Sequence, residues 1–448
     1  MRDNTKKGSC NGRPAPTFSN GLNPNGGFPK GKRIHKTFNN LKITLLCGLI
    51  TILVLRGTLG LGGFGGSSQD PDEMPQDAKE RNLMEVKDGD VEEEEEEIEF
   101  ERELNDTYSI GPRIFDWDDQ RRAWLIENPE LANSSNGKPR ILLVTGSPPK
   151  SCDNPAGDHY LLKSIKNKID YCRIHNIEIF YNLAHLDAEL SGYWSKLPLI
   201  RKLMLTHPEF EWIWWMDSDA MFTDMVFELP LEKYKHFNFI LHGWEKEIYE
   251  KISWVGLNTG SLLLRNCQWS LDLIDAWAPM GPKGKVREEA GKVLTEALLG
   301  RPAFEADDQS ALIYLLITQR NLWGNKVYLE NSFYLHGFWV AIVETYDELI
   351  DKHHPGYGDE RWPFITHFVG CKPCGSYGDY SIEKCLKEME RSFNFGDNQI
   401  LQMYGFQHRT LSSFKVERTS NDSDQPLEIQ DELNLLHPTF NLFKSVPV

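Results

Sequence analysis

Trp212-Ile213-Trp214-Trp215-Met216-Asp217-Ser218-Asp219 passes from five uncharged aromatic and aliphatic residues straight into two carboxylates one residue apart. A short apolar run of this kind predicts a strand buried on both faces. Two anions at the end of such a strand repel each other and lose hydration, at a cost of several kcal/mol for each unpaired ion. A divalent cation relieves that cost, and carboxylate oxygens suit a hard ion such as Mg²⁺ or Mn²⁺ that keeps positions open for substrate phosphates. The carboxyl end of a sheet strand is also where open α/β folds bind nucleotides. The plainer alternative is a pair of solvated acids in a turn.

The residues around this strand repeat a strand–helix rhythm. Arg140-Ile-Leu-Leu-Val-Thr145 reads as a buried strand stopped by Gly146-Ser147-Pro148-Pro149. Leu161, Leu162, Ile165, Ile169 and Cys172 follow at helical spacing, and Ile177–Tyr181 reads as the next strand. Pro198–Leu205 predicts a helix with Ile200, Leu203 and Met204 inward, ended near Pro208. Further strands are expected at Phe237–Leu241, Ser261–Arg265, Lys326–Glu330 and Phe364–Val369. The alternation predicts a layered α/β domain built on a mostly parallel sheet, with no internal repeat.

Two further clusters carry chemistry. Asp307-Asp308-Gln309 stands before a helix over Ser310–Gln319, in which Leu312, Leu315, Leu316 and Gln319 share a face. Asp307 is a helix cap on one reading; on the other, two acids and an amide orient sugar hydroxyls. The second cluster is His367-Phe-Val-Gly-Cys371-Lys372-Pro-Cys374. His367 with Cys371 and Cys374 makes three of the four ligands of a structural zinc site. Alternatively, His367 is a third ligand to an ion at Asp217 and Asp219, where imidazole favours Mn²⁺ over Mg²⁺. Lys372 then lies close enough to neutralise a diphosphate.

The net charge of −17 is unevenly spread over the 448 residues. Residues 1–66 carry a net of +9, residues 67–105 a net of −13, and residues 106–448 another −13. The first 42 residues, basic and rich in Gly, Pro and Asn, predict a disordered tail. Ile43–Leu55 is uncharged, and extending it to Phe64 past a snorkelling Arg56 gives the roughly 20 residues a membrane span needs. The basic lead is too long for a cleaved signal peptide, and its Lys and Arg residues place the N-terminus in the cytosol. The expected organisation is thus a cytosolic tail at 1–42, a signal-anchor helix at 43–64, an acidic lumenal stem at 65–105 and a folded domain at 106–448. Sequons at Asn105, Asn133 and Asn421 fit a lumenal address. So do six cysteines on that side, whose fifteen possible pairings the sequence does not distinguish. No nucleic-acid partner is expected.

The buried strand ending in Asp217-Ser218-Asp219, the Asp307-Asp308-Gln309 helix start and the His367…Lys372 segment together resemble plant glycosyltransferase family 34. Within it, the xyloglucan 6-xylosyltransferases with long acidic stems are most similar. The resemblance covers roughly residues 130–440. It implies a GT-A fold, a mixed and mostly parallel sheet flanked by helices, and transfer of α-xylose with retention from UDP-xylose to O6 of glucose in a β-1,4-glucan. It further implies Mn²⁺ held by Asp217, Asp219 and His367, with Ser218, Gly146 and Ser147 beside the nucleotide and Lys372 on the diphosphate. Asp307, Asp308 and Gln309 would work at the sugar end, with the Gly256-Leu-Asn258-Thr259-Gly260 segment beside acceptor and donor; the plainer reading of that segment is a tight turn. Same-face attack by the acceptor is the favoured route, and a covalent intermediate on Asp308 the alternative. Trp244, Trp254, Trp339 and Trp362 are candidates for stacking under a glucan, or for the core. The implied surroundings are the Golgi membrane, with homo- or hetero-oligomers of related xylosyltransferases and a glucan synthase. Transfer of galactose from UDP-galactose to a mannan, or a quiet scaffold of a Golgi complex, are the competing functions.

Overall fold

The computed structural model describes residues 108–132, 137–152, 154–374 and 378–419. The expected tail, anchor and stem, and all three sequons, lie outside the described residues. No helix among the described residues is long and apolar enough to cross a membrane.

The described residues begin with helix α1 (Trp117–Glu127), then strand β1 (Ile141–Gly146), helix α2 (Pro155–His175) and strand β2 (Glu178–Asn182). Helix α3 (Lys196–Thr206) leads into β3 (Trp212–Met216) and the short β4 (Ala220–Phe222). There follow β5 (Phe239–Gly243), β6 (Leu257–Arg265), α4 (Gln268–Trp277), α5 (Lys285–Ala297) and α6 (Asp308–Thr318). Among the described residues the remaining strands and the last long helix are β7 (Val327–Glu330), β8 (Gly337–Phe338), β9 (Ile365–His367), α7 (Ile382–Met403) and a small ribbon, β10 (Phe406–His408) with β11 (Val416–Arg418).

Six strands form the main sheet in the order β2-β1-β3-β6-β5-β7. The pairs β1–β2, β1–β3 and β5–β7 are parallel, whereas β6 runs antiparallel to both β3 and β5. The sheet is therefore mixed, with one reversed strand, as expected of a GT-A-like fold. A second sheet, β4-β9-β8, sits beyond the carboxyl end of β3. The period-2 rule explains how β3 is buried on both sides. Ile213 and Trp215 enter one apolar layer with α3, α4 and α6, while Trp212, Trp214 and Met216 enter another with Tyr171 of α2, Phe222 and Phe364. Tyr171 and Phe222 stack there with ring centroids 3.8 Å apart.

The structure corrects three expectations. Leu162, one of the five residues read at helical spacing, is 66% exposed; Cys172 of that reading is buried, and the buried face of α2 carries beside it Ser164, Asn167, Lys168 and Tyr171. The reason is what that face meets. Ser164 Oγ donates to Ser218 O (2.6 Å), Lys168 Nζ to Ala220 O (2.6 Å), and Asn167 bridges the backbone N–H and C=O of Phe222. A short strand whose backbone faces a helix needs side-chain partners, so polar residues are placed inside. The segment before Ser261 is likewise no turn from Leu257 on, because β6 starts there; the turn ends at Gly256, whose N–H donates to Ser253 O (3.0 Å). The zinc alternative has lost its thiolates: Cys371 is bonded to Cys385, and Cys374 to Cys152.

Candidate active site

At the end of β3 the Asp217 N–H donates to Gly260 O on the reversed strand β6 (2.7 Å), which extends the pairing by one residue and aims the turn across the sheet edge. β4 then pairs antiparallel with β9, setting Ala220 opposite His367, and the Phe368 N–H donates to Asp219 O (3.0 Å). This register carries His367 to the two acids from 148 residues away in sequence. His367 Nε2 lies 3.2 Å from Asp219 Oδ1 and 3.7 Å from Asp217 Oδ2. One donor atom from each of the three residues falls within 4.8 Å of the others.

The donors fit a divalent cation. Two carboxylate oxygens and one imidazole nitrogen converge, and the backbone is shaped to let them. A Cβ on Gly260 would stand 2.1 Å from His367 Cε1 and 2.9 Å from Asp217 Oδ2, so only glycine leaves room for both ligands. The remaining oxygen of Asp217 is held by the Trp215 indole N–H (2.6 Å). Burial would push the Asp219 carboxyl up, but the His367 ring and Lys372 outweigh it and hold the group below the usual carboxylate range.

The two acids open on a cleft of about 620 Å³, within the range of small-molecule sites. Gly146, Ser147, Trp215, Asp217, Ser218, Asp219 and Lys372 all line it. Gly146 and Ser147 stand at the carboxyl end of β1, where a Cβ on Gly146 would meet Asn182 O at 2.8 Å. Lys372 faces them from a loop fastened on both sides, by Cys371–Cys385 to α7 and by Cys374–Cys152 to the segment before α2.

The three residues of the other cluster lie in different surroundings. Asp307 caps α6: Oδ1 accepts the Ser310 N–H (2.8 Å), and Oδ2 accepts Arg301 Nη2 (3.0 Å) and Nε (3.3 Å). Both oxygens are thus committed to the fold, which is the capping reading. Asp308 is buried, with Oδ2 2.8 Å from Lys196 Nζ. Gln309 is partly exposed; its Nε2 donates to Trp254 O (3.0 Å), and its Oε1 accepts from Asn258 Nδ2 (3.2 Å). None of the three lines the cleft beside the acids. Of the four tryptophans, Trp339 and Trp362 are core residues, whereas Trp244 is 44% exposed and Trp254 is half-buried.

Two residues of the site escaped the sequence reading. Lys196, at the start of α3, is buried and joins the clusters: its ammonium lies 3.6 Å from Asp217 Oδ1 and donates to Thr259 O (3.0 Å), besides pairing with Asp308. Burial works against its charge, but Asp217 and Asp308 outweigh burial and hold Lys196 above the ordinary lysine value. His336 lies behind His367, with the two Nδ1 atoms 2.9 Å apart. Burial, helped by His367 and His242, pushes His336 far below the usual histidine range, so its ring is neutral. A lone lysine at a helix start and a lone histidine between strands carry no spacing signal that distinguishes them from surface residues.

An Asp-x-Asp turn at the end of a central strand, closed by a histidine and faced by a tethered lysine across a nucleotide-sized cleft, defines a nucleotide-sugar-dependent glycosyltransferase. The comparisons narrow this. The family model described as galactosyl transferase GMA12/MNN10 family, glycosyltransferase family 34, matches residues 137–378, and the chain belongs to that family. An Arabidopsis thaliana protein named "Probable xyloglucan 6-xylosyltransferase 5" is 60% identical over 433 residues, covering 96% of this chain and 95% of its own. The A. thaliana proteins named xyloglucan 6-xylosyltransferase 2 and 1 are 58% and 57% identical, covering 92% and 93% of this chain and 96% and 97% of theirs. A solved glycosyltransferase involved in glycosylation of the PBCV-1 major capsid aligns over 56% of this chain and 99% of its own, at 15% identity and a TM-score of 0.34, too slight a likeness to add to the topology.

Proposed function

We propose that this protein transfers α-xylose, with retention of configuration, from UDP-xylose to O6 of glucose in a β-1,4-glucan, a step of xyloglucan synthesis. The convergence of Asp217, Asp219 and His367 on one point, opposite Lys372, is the observation that carries transfer from a nucleotide sugar. The choice of xylose and glucan follows the names of relatives that align over more than nine-tenths of the chain. The family model's own description names galactosyl transfer, so UDP-galactose with a mannan acceptor is the direct control.

Asp217, Asp219 and His367 would hold the ion, which we take as Mn²⁺ because an imidazole joins the two carboxylates. When bound, the ion supplies Lewis-acid stabilisation of the departing diphosphate. In the reaction, the bond between the anomeric carbon and the phosphate oxygen breaks and its electron pair leaves with UDP. Lys372 offsets the charge that develops on that group. The acceptor O6 forms the new bond from the same face, and its proton passes to the departing phosphate oxygen. Gln309 is held by Trp254 O and Asn258 outside the cleft that the acids line, and its part at the cationic sugar is what the family resemblance implies. The buried ion pair of Asp308 with Lys196 speaks against Asp308 as a covalent nucleophile, since attack would leave the buried Lys196 without that partner.

The proposal includes residues 43–64 as a signal anchor in the Golgi membrane, the folded domain in the lumen, and association with related xylosyltransferases and a glucan synthase. The presence of all ligand and phosphate positions speaks against a quiet scaffold. Incubating the detergent-extracted full chain with Mn²⁺, UDP-xylose or UDP-galactose, and cello- or manno-oligosaccharides tests the reading. Product from UDP-xylose and cello-oligosaccharide alone is expected; product only from UDP-galactose and a mannan would overturn the assignment. Protease protection of the domain in microsomes tests the topology.

A further inference from the structure

We propose that His336 is a positioning residue for the metal site, its ring nitrogen fixing both the tautomer and the orientation in which His367 presents Nε2 to the ion. The proposal rests on the reading of Asp217, Asp219 and His367 as metal ligands.

The backbone builds the pair. β8 runs parallel to β9, with Gly337 opposite Thr366 and Phe338 opposite His367, and the Ile365 N–H donates to Tyr334 O (3.0 Å). His336 therefore lies just ahead of β8, two residues before Phe338, the register partner of His367, which by period-2 alternation sets both on one face, after the fully buried Leu335. The two rings are perpendicular, at 90°, with centroids 4.9 Å apart, and their Nδ1 atoms meet at 2.9 Å. On its other side the His336 ring packs against the buried ring of His242, with centroids 5.5 Å apart.

Two Nδ1 atoms at hydrogen-bond distance share one proton, so one ring donates and the other accepts. His367 turns Nε2 toward both carboxylates, and a metal ligand needs the lone pair of that nitrogen. The proton of His367 then sits on Nδ1 and is donated to His336, whose own proton sits on Nε2. Gly260 packs against the Cε1–Nδ1 edge of the ring, leaving no space for a single added carbon. His367 is thus held by a close glycine backbone and by a hydrogen-bond acceptor at Nδ1. Outer partners of this kind orient a ligand and raise its basicity, and their loss typically weakens metal binding by about 10- to 100-fold.

The test is Mn²⁺ titration of the full chain, followed by the electron paramagnetic resonance signal of the free ion, with no sugar donor present. His336→Asn keeps an acceptor oxygen near the place of Nδ1 and is expected to bind Mn²⁺ within about threefold of the unaltered protein. His336→Leu keeps bulk without an acceptor and is expected to bind about 10- to 100-fold more weakly. His336→Gln, which moves its acceptor one carbon outward, should resemble His336→Leu and replaces it if His336→Leu does not fold. A folded His336→Leu or His336→Gln with unaltered Mn²⁺ affinity overturns the inference, as does a folded His336→Asn as weak as the others. If the unaltered protein and His367→Ala both fail to bind Mn²⁺, the metal reading itself falls, and the positioning role falls with it.

Discussion

Gly260→Ala is the sharpest single test of the site, because it adds one carbon at the point where two ligands meet. The new Cβ would lie 2.1 Å from His367 Cε1 and 2.8 Å from its Nδ1. Ordinary carbon contacts are about 3.5 Å, so the ring must retreat by about 1.4 Å or β6 must give way. Retreat of the strand is opposed by its pairing with β3 and β5 on either side, which leaves the histidine, and with it Asp217, to move. A displacement of about 1 Å from productive geometry can lower a rate by about 100-fold, which is about 2.7 kcal/mol. We therefore expect turnover with UDP-xylose to fall by about 100-fold or more and Mn²⁺ affinity by at least about tenfold, while the thermal transition stays cooperative. Rates, Mn²⁺ titration and melting measured on one preparation decide the matter. Near-normal Mn²⁺ affinity and turnover in a folded Gly260→Ala protein would refute the geometry described for His367 and Asp217.

Other changes separate roles within the cleft and the fold. Lys372→Ala should weaken UDP binding by roughly ten- to a hundredfold, the worth of about 1.5–3 kcal/mol for a charge-assisted contact, whereas Gln309→Ala should leave UDP affinity unchanged and lower turnover. Calorimetric titration with UDP and Mn²⁺ checks both, and equal loss in the two would make Gln309 a nucleotide ligand. Asp307→Ala should destabilise by about 3 kcal/mol or more, since it removes a helix cap and leaves the buried Arg301 without its carboxylate. Denaturant unfolding measures this, and normal stability with lost turnover would restore Asp307 to the chemistry. Burial pushes Asp397 up, but His408 and Lys166 together hold it below its ordinary value of 3.8, so this cluster stabilises the folded state fully above that pH. The stabilisation fades as pH falls through 3.8 and is gone below the depressed value; the stability gap between the unaltered protein and Asp397→Asn should shrink over that range, and a constant gap would contradict the pairing.

Features written into neighbouring residues were legible without the structure. The strand at Trp212–Met216 carries its own burial in its aromatic run, and Asp217 and Asp219 announce themselves by breaking it. The helix over Lys196–Thr206 buries Ile200, Leu203 and Met204 as its spacing predicts. What stayed hidden depends on contacts between distant segments. Lys196 reads as a surface lysine until α6 brings Asp308 against it. The inward face of α2 defeats apolar periodicity because Ser164, Asn167 and Lys168 serve the backbone around β4, leaving Tyr171 and Cys172 to the hydrophobic layer. The two disulfides were one choice among many pairings, since nothing local links Cys152 to Cys374 across 222 residues.

That same span bears on the order in which the protein is put together. The Cys152–Cys374 bond encloses β2 through β9, so every strand of the main sheet except β1 lies inside the loop it closes. A chain grows from its N-terminus and its early parts begin to fold first. Asp217 and Asp219 are therefore synthesised and seated on their strand long before His367, Lys372 and Cys374 emerge. Two carboxylates wait at the sheet edge without their histidine or their lysine until the last part of the domain arrives. The bond that fastens the lysine loop forms only after every strand of the main sheet has been synthesised, which places completion of the cleft late in assembly.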